Sequence, residues 1–149
     1  MSDELANARI QVVRDHMRLE IEHDWDGVIA TFQHPRYEFN GGATVADGEA
    51  AVRAYFASSR TPFPDQGNEV IAIGAGDDCV FVEFWLTGTH LGPLQTPQGV
   101  VAPTGKSFRV KMMASFEFAP GSAKIISERP YINAQAINRA LGLDRKSVV

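Results

Sequence analysis

Apolar side chains recur at Ala6, Ile10, Val13, Met17 and Ile21, in steps of three and four, and predict an amphipathic helix from about Asp3 to His23. "HDWDGVIATF" predicts a second, short helix, with Asp24 where an N-cap belongs and Trp25, Val28 and Ile29 as its apolar positions. His34-Pro35 is expected to end it, because proline restricts the residue before it and cannot continue a helix. "RYEFN" reads as a short strand and "GGATVADG" as a turn region. Asp47 is expected to cap a third helix, "GEAAVRAYFASSR", whose Val52, Tyr55, Phe56 and Ser59 share one face. "TPFPDQGN" is a loop.

The period then switches from helical to alternating. "EVIAIGAGDDCVFVEFWLTGTHLG" predicts a strand, a Gly/Asp turn and a long strand from Cys79 to about Leu91. "PLQTPQGVVAPTG" reads as a proline-rich loop, "KSFRVKMMASFEFAPG" as another long strand and "SAKIISERPYI" as the last strand. Along the Lys106 strand, Val110, Met112, Ala114 and Phe116 face one way, and Arg109, Lys111, Met113 and Ser115 the other. The Cys79 strand is apolar on both faces: Val80, Val82, Phe84 and Leu86 against Phe81 and Trp85. This predicts a central strand whose second face meets a partner subunit. A short helix follows the last strand, and Gly142 suits the position just beyond it. Helices segregated from an antiparallel run of strands predict an α+β fold.

Composition narrows the classes. A chain of 149 residues suits one domain, with a core from about residue 7 to 143 and a short flexible tail at 144–149. Fourteen Lys and Arg against 18 Asp and Glu leave a net charge of -4, and the basic pair Arg145-Lys146 is no footprint for nucleic acid. No apolar run approaches the ~20 residues of a membrane span. The acidic start "MSDELANARI" has no signal-peptide pattern, so a cytoplasmic protein is expected. Cys79 stands alone in an apolar stretch: no internal disulfide or cysteine-based zinc site is open to it, and a small packed hydrophobe is the expectation rather than a nucleophile. No histidine pair at i, i+4 and no H-E-x-x-H occurs, so no metal is expected.

The polar residues that remain each carry two readings. Arg129, Tyr131 and Asn133 lie where the last strand passes into the last helix, and Asn133 is either the helix N-cap or a pocket contact. Arg129 is either ion-paired, with Glu117 or Glu128 in reach, or a ligand contact. His34 either sits near helix-end carbonyls or enters a pocket. Glu38, between Tyr37 and Phe39, is either an exposed alternate residue or a desolvated base with a raised pKa. Phe84 and Trp85 read as core rather than as substrate-stacking surface.

Four stretches, "HPRYEFNGGATVADGEAAVRAYF", "EFWLTGTHLGPL", "PTGKSFRVKMMASFEF" and "IISERPYINAQAINRALGL", resemble the SnoaL-like polyketide cyclase family within the nuclear transport factor 2-like fold. The resemblance spans about Asn7 to Leu143. It implies a cone, in which a curved sheet wraps the long first helix and leaves a pocket open at one end. It also implies a homodimer through the outer sheet face, and chemistry by a pocket carboxylate with neither metal nor organic cofactor. Many relatives carry aspartate where this chain has Asn133, and an asparagine amide accepts no proton at neutral pH. His90, in the family-like "TGTHLGP", is the least generic histidine. The resulting expectation is a pocket for a small apolar organic molecule. His90, His34 or Glu38 would be the base, Arg129, Tyr131 and Asn133 would hold a carbonyl or enolate oxygen, and Trp25, Phe56 and Met112 would line the wall. Two functions fit it: a cofactor-free cyclase or isomerase, and a binding protein without turnover.

Overall fold

The computed structural model describes residues 2–143; the expected flexible tail and the Arg145-Lys146 pair lie outside the described residues. Helix α1 (Asp3–Glu22) begins at an N-cap, Ser2, whose hydroxyl accepts the Leu5 N–H. Helix α2 (Trp25–Ala30) is capped by Asp24 as expected. It ends well before His34-Pro35. Phe32 pairs with Ile125, the Ile125 N–H donates to the Thr31 carbonyl, and the Gln33 N–H donates to the Ile125 carbonyl. A sheet contact, not the proline, therefore stops this helix.

Strand β1 (Arg36–Phe39) is followed by a single 3-10 turn, Asn40–Gly42, and by β2 (Thr44–Asp47), so the expected turn region contains a strand paired with β1. Helix α3 (Glu49–Arg60) starts at Gly48, not at Asp47. The Asp47 carboxylate is turned away, accepting from His34 and Arg36 across the β1–β2 hairpin. Strands β3 (Gly67–Gly76) and β4 (Cys79–Thr89) are joined by Asp77 and Asp78, both at left-handed φ (49° and 59°), as a two-residue hairpin turn requires. The proline-rich loop is not unstructured: it holds a small hairpin of β5 (Leu94–Thr96) and β6 (Gly99–Val101). Strands β7 (Ser107–Phe118) and β8 (Ile125–Tyr131) follow, then α4 (Ala134–Ala140) with Gly142 at φ 75° just beyond it.

The main sheet runs β2-β1-β8-β7-β4-β3. All neighbours are antiparallel except β1 and β8, which pair parallel with Tyr37 opposite Glu128. Alternation along β4 and β7 sends Val80, Val82, Phe84, Met112, Ala114 and Phe116 inward onto α1 and α2, whose Val13, Met17 and Val28 are buried with them. The other face of β7 carries Arg109, Lys111 and Met113 outward, as the alternation predicts. Trp85 lies on that outer face beneath the Arg109 guanidinium, 4.1 Å from its ring centre.

The inward face of α1 is turned from the purely apolar stripe. Ile21 is exposed, whereas Arg9 and His16 are fully buried. Arg9 is held by the Ser122 and Ala119 carbonyls and by Asp78, and lies over the Phe118 ring, so it fastens the start of α1 to two hairpin turns.

The loop after β4 is fixed by Leu91 and Gly92, whose N–H groups both donate to the Pro62 carbonyl. A Cβ at Gly92 would stand 2.0 Å from the Thr61 carbonyl oxygen. Gly92→Ala is therefore expected to destabilise the fold by about 1–3 kcal/mol in urea unfolding, since backbone must shift to relieve the overlap. Gly74→Ala, where an added Cβ meets nothing within 4 Å, should stay within about 0.5 kcal/mol of the parent. Equal midpoints for the two variants would show that the Gly92 contact constrains nothing.

Candidate functional site

The concave face of the sheet, α1, the end of α3 and α4 enclose a cavity of about 670 Å³. Its wall is largely apolar, with Phe84, Leu86, Phe108 and Phe116 from the sheet and Ile137 from α4. Two carboxylates meet it. Glu20 from α1 and Glu128 from β8 both reach the wall, and His16 lies behind them, one helical turn before Glu20.

The geometry fixes where the protons are. His16 Nδ1 lies 2.8 Å from Thr31 Oγ1. The Thr31 hydroxyl spends its own proton on the Val28 carbonyl at 2.6 Å, so Oγ1 must accept and Nδ1 must carry a hydrogen. The remaining nitrogen, Nε2, faces Glu128 Oε1 at 2.7 Å. One proton therefore lies between them, on the imidazole or on the carboxyl. Tyr37 completes the group by donating to Glu20 Oε2 at 2.9 Å. Burial, and then the Glu20 charge, push the Glu128 carboxyl up to about 7, against the pull of His16 and Tyr37. Burial draws the His16 imidazole down, but the Glu20 and Glu128 charges and the Glu128 hydrogen bond outweigh it and raise it. The pair exchanges its proton near neutrality as one unit. Tyr55 also lines the cavity; burial above all pushes its phenol up to about 12, so it remains a hydrogen-bond donor.

His16, Glu20 and Glu128 could each offer one ligand atom to a cation, and these atoms lie within 4.8 Å of one another. A cation there would displace the His16–Glu128 hydrogen bond.

The side chains expected to form the pocket are not brought together. His34 is exposed and bound to Asp47. Glu38 points to the outer face, because alternation sends its neighbours Tyr37 and Phe39 inward. The aromatic shielding read into "YEF" is thus on the other side of the sheet. Burial would raise the Glu38 carboxyl, but hydrogen bonds from Ser127 and Arg129 and the nearby arginine charges lower it instead. Arg129 lies on the same outer face, clamped between Glu38 and Glu117, and Tyr131 is half-exposed there. His90 is fully buried against Phe63, with Nδ1 accepting the Thr104 N–H, and does not line the cavity. Asn133 is the N-cap of α4: its Oδ1 accepts the Ala136 N–H at 3.1 Å. Trp25 stacks on the buried Phe56 at 4.4 Å, behind the wall. Met112 is buried and accepts the Asn133 N–H on its sulfur. Cys79 is half-buried, and burial raises its thiol, away from nucleophilic character.

Sequence reasoning missed His16, Glu20, Glu128 and Tyr55. One signal was available: a histidine and a glutamate at i, i+4 on the inward side of an amphipathic helix, next to Val13 and Met17.

The profile of the SnoaL-like domain family matches residues 13–127. No curated protein matches the chain in sequence. Among solved structures, a protein of Jannaschia sp. CCS1, provisionally described as a SnoaL-like polyketide cyclase, superposes with a TM-score of 0.81 at 21% identity over 95% of this chain and 96% of that one. SalBIII, described as an epoxide hydrolase/cyclase-like enzyme with a role in pyran ring formation in salinomycin, superposes at 0.69 with 25% identity over 91% and 97%. A protein of Catenulispora acidiphila with a ketosteroid isomerase-like fold, bound to trimethylamine, superposes at 0.71 with 14% identity over 89% and 92%.

The two raised groups set a sign for stability against pH. A group that holds its proton more tightly when folded stabilises fully below its unfolded pKa and loses that contribution as pH rises through the folded value. Stability should therefore fall between about pH 5 and 8, by on the order of a few kcal/mol. Glu128→Gln should flatten that slope in urea titrations. A slope that is the same in parent and variant would show that Glu128 is not the group responsible.

Proposed function

This chain belongs to the SnoaL-like domain family, and from that premise we propose that it catalyses cyclisation or isomerisation of a small apolar carbonyl compound by acid/base chemistry of its own side chains. The observation that carries the proposal is a single one: a carboxyl pushed up to about 7, Glu128, on the wall of a largely apolar cavity and hydrogen-bonded to a histidine with a fixed tautomer. A base works best when its pKa lies near the working pH. Once the proton between Glu128 and His16 is lost, Glu128 would take a proton from the carbon beside the substrate carbonyl, and His16 Nε2 would share it. Tyr55 would donate to the carbonyl oxygen as it becomes an enolate oxygen. Return of the proton to another carbon gives an isomer. Attack of the enolate carbon on a second carbonyl of the same molecule gives a ring, with the new alkoxide taking the proton back.

The proposal is tested by deuterium exchange. An apolar ketone such as 1-indanone, followed by NMR in deuterated buffer, should exchange its α-protons faster with the protein than without it, at a rate that rises as pH passes about 7. Glu128→Gln should lower the added rate by about 100-fold or more. A variant that exchanges as fast as the parent would remove Glu128 from the mechanism. Binding of the ketone without any added exchange would support the alternative, a binding protein without turnover.

We also propose a homodimer through the outer sheet face. Phe81, Met113 and Tyr131 are each about half-exposed (50%, 52% and 50%) and line one shallow depression there with Glu83 and Lys111. A contiguous apolar patch of this kind calls for cover. Light scattering at micromolar concentration should report twice the chain mass, and Met113→Glu should shift it to the monomer. A strictly monomeric parent protein would defeat this reading.

A further inference from the structure

Arg60, the last residue of α3, also lines the cavity. Among the described lining residues it is the one cation; the two acids Glu20 and Glu128 also line the cavity. Its Nη1 donates to Ser59 Oγ at 2.8 Å, and its flat face lies over the Trp25 ring at 4.9 Å. Its Nε is buried and has no acceptor, and no described carboxylate pairs with the guanidinium.

The other arginines withdrawn from solvent are treated differently by this fold. Arg9 is satisfied by two carbonyls and Asp78, and Arg129 by Glu38 and Glu117. A permanent charge with a buried, unpaired N–H is costly, and folded proteins rarely tolerate one without a reason. The C-terminal dipole of α3 favours a cation near Arg60, and the Trp25 ring favours its flat face. Neither supplies the carboxylate that Arg9 and Arg129 each have. The charge of Arg60 does reach the acid/base group, since it is one of the influences that lower His16 and Tyr55.

We infer that the cavity takes an organic carboxylate and that Arg60 reads its charge. A guanidinium presents paired N–H groups that match the two oxygens of a carboxylate, and Arg60 is the guanidinium on this largely apolar wall. The ligand's apolar body would lie along Phe84, Leu86 and Phe108, with its carboxylate on Arg60. This inference rests on the reading of the cavity as the substrate site. It narrows the substrate to an apolar keto acid.

The experiment uses the whole chain with Trp85→Phe, which leaves Trp25, beneath Arg60, as the only tryptophan. The probes are 5-phenylpentanoate and its primary amide, followed by Trp25 fluorescence and by calorimetry. The carboxylate should bind at least about tenfold more tightly than the amide. Arg60→Met should bring the two within about twofold. Arg60→Lys, which keeps a point charge but loses the fork, should retain part of the preference and serves as the folded control if the methionine variant melts early. Equal binding of the two probes by the parent, no carboxylate binding at millimolar concentration, or a full preference surviving in Arg60→Met would each overturn the inference. Ketone exchange by the parent separates the two readings. Exchange without carboxylate preference sinks the role of Arg60 alone, and preference without exchange sinks the role of Glu128 alone.

Discussion

A hydrogen bond of 2.7 Å between His16 Nε2 and Glu128 Oε1 joins the first helix to the last strand inside a largely apolar cone. Each group would be costly there alone, because a buried polar group without a partner loses its water and gains nothing in return. Together with Thr31, Tyr37 and Glu20 they form a closed set of donors and acceptors. A buried ionisable pair is a weak source of net stability, because desolvation offsets most of the attraction, but removing one partner is costly. The pair therefore specifies where α1 lies on the sheet more than how tightly it is held. The same low-dielectric surroundings that make it costly are what bring the Glu128 carboxyl to neutrality.

The sheet separates two kinds of charge. On its outer face Glu38, Arg129, Glu117, Arg36 and Asp47 form a ladder of ion pairs that includes exposed members screened by water. The Glu38 and Asp47 carboxyls are held below the ordinary range by these partners. On the inner face, one residue along β8 from Arg129, Glu128 has no arginine partner and titrates near 7. The chemistry of adjacent residues thus depends on the face to which the pleat assigns them.

The cavity follows from that division. Aromatic and aliphatic side chains make most of its wall, and charge enters at Arg60, Glu20 and Glu128. The fold by itself hosts many chemistries, so these few side chains, not the cone, distinguish what this member can do.

The sequence by itself determined the four helices and the long strands in order, the capping of α2 by Asp24, the Gly/Asp turn before Cys79 and the inward and outward sets of β7, because caps, turns and alternation are properties of a few neighbouring residues. It did not reveal β2 or the β5–β6 hairpin, whose short strands exist only through their partners. The site was legible only at its edge. His16 and Glu20 share a helical face, but an apolar stripe discards polar positions, and nothing local tells that Glu128 will meet them. That meeting is set by the parallel register of β1 and β8, with Tyr37 opposite Glu128, and by a turn of α1 that Arg9 secures on distant carbonyls. For Glu38 and Arg129 the sequence left two readings open for the same reason: which face of a strand becomes the concave one is decided when the sheet closes over a helix, not along the chain.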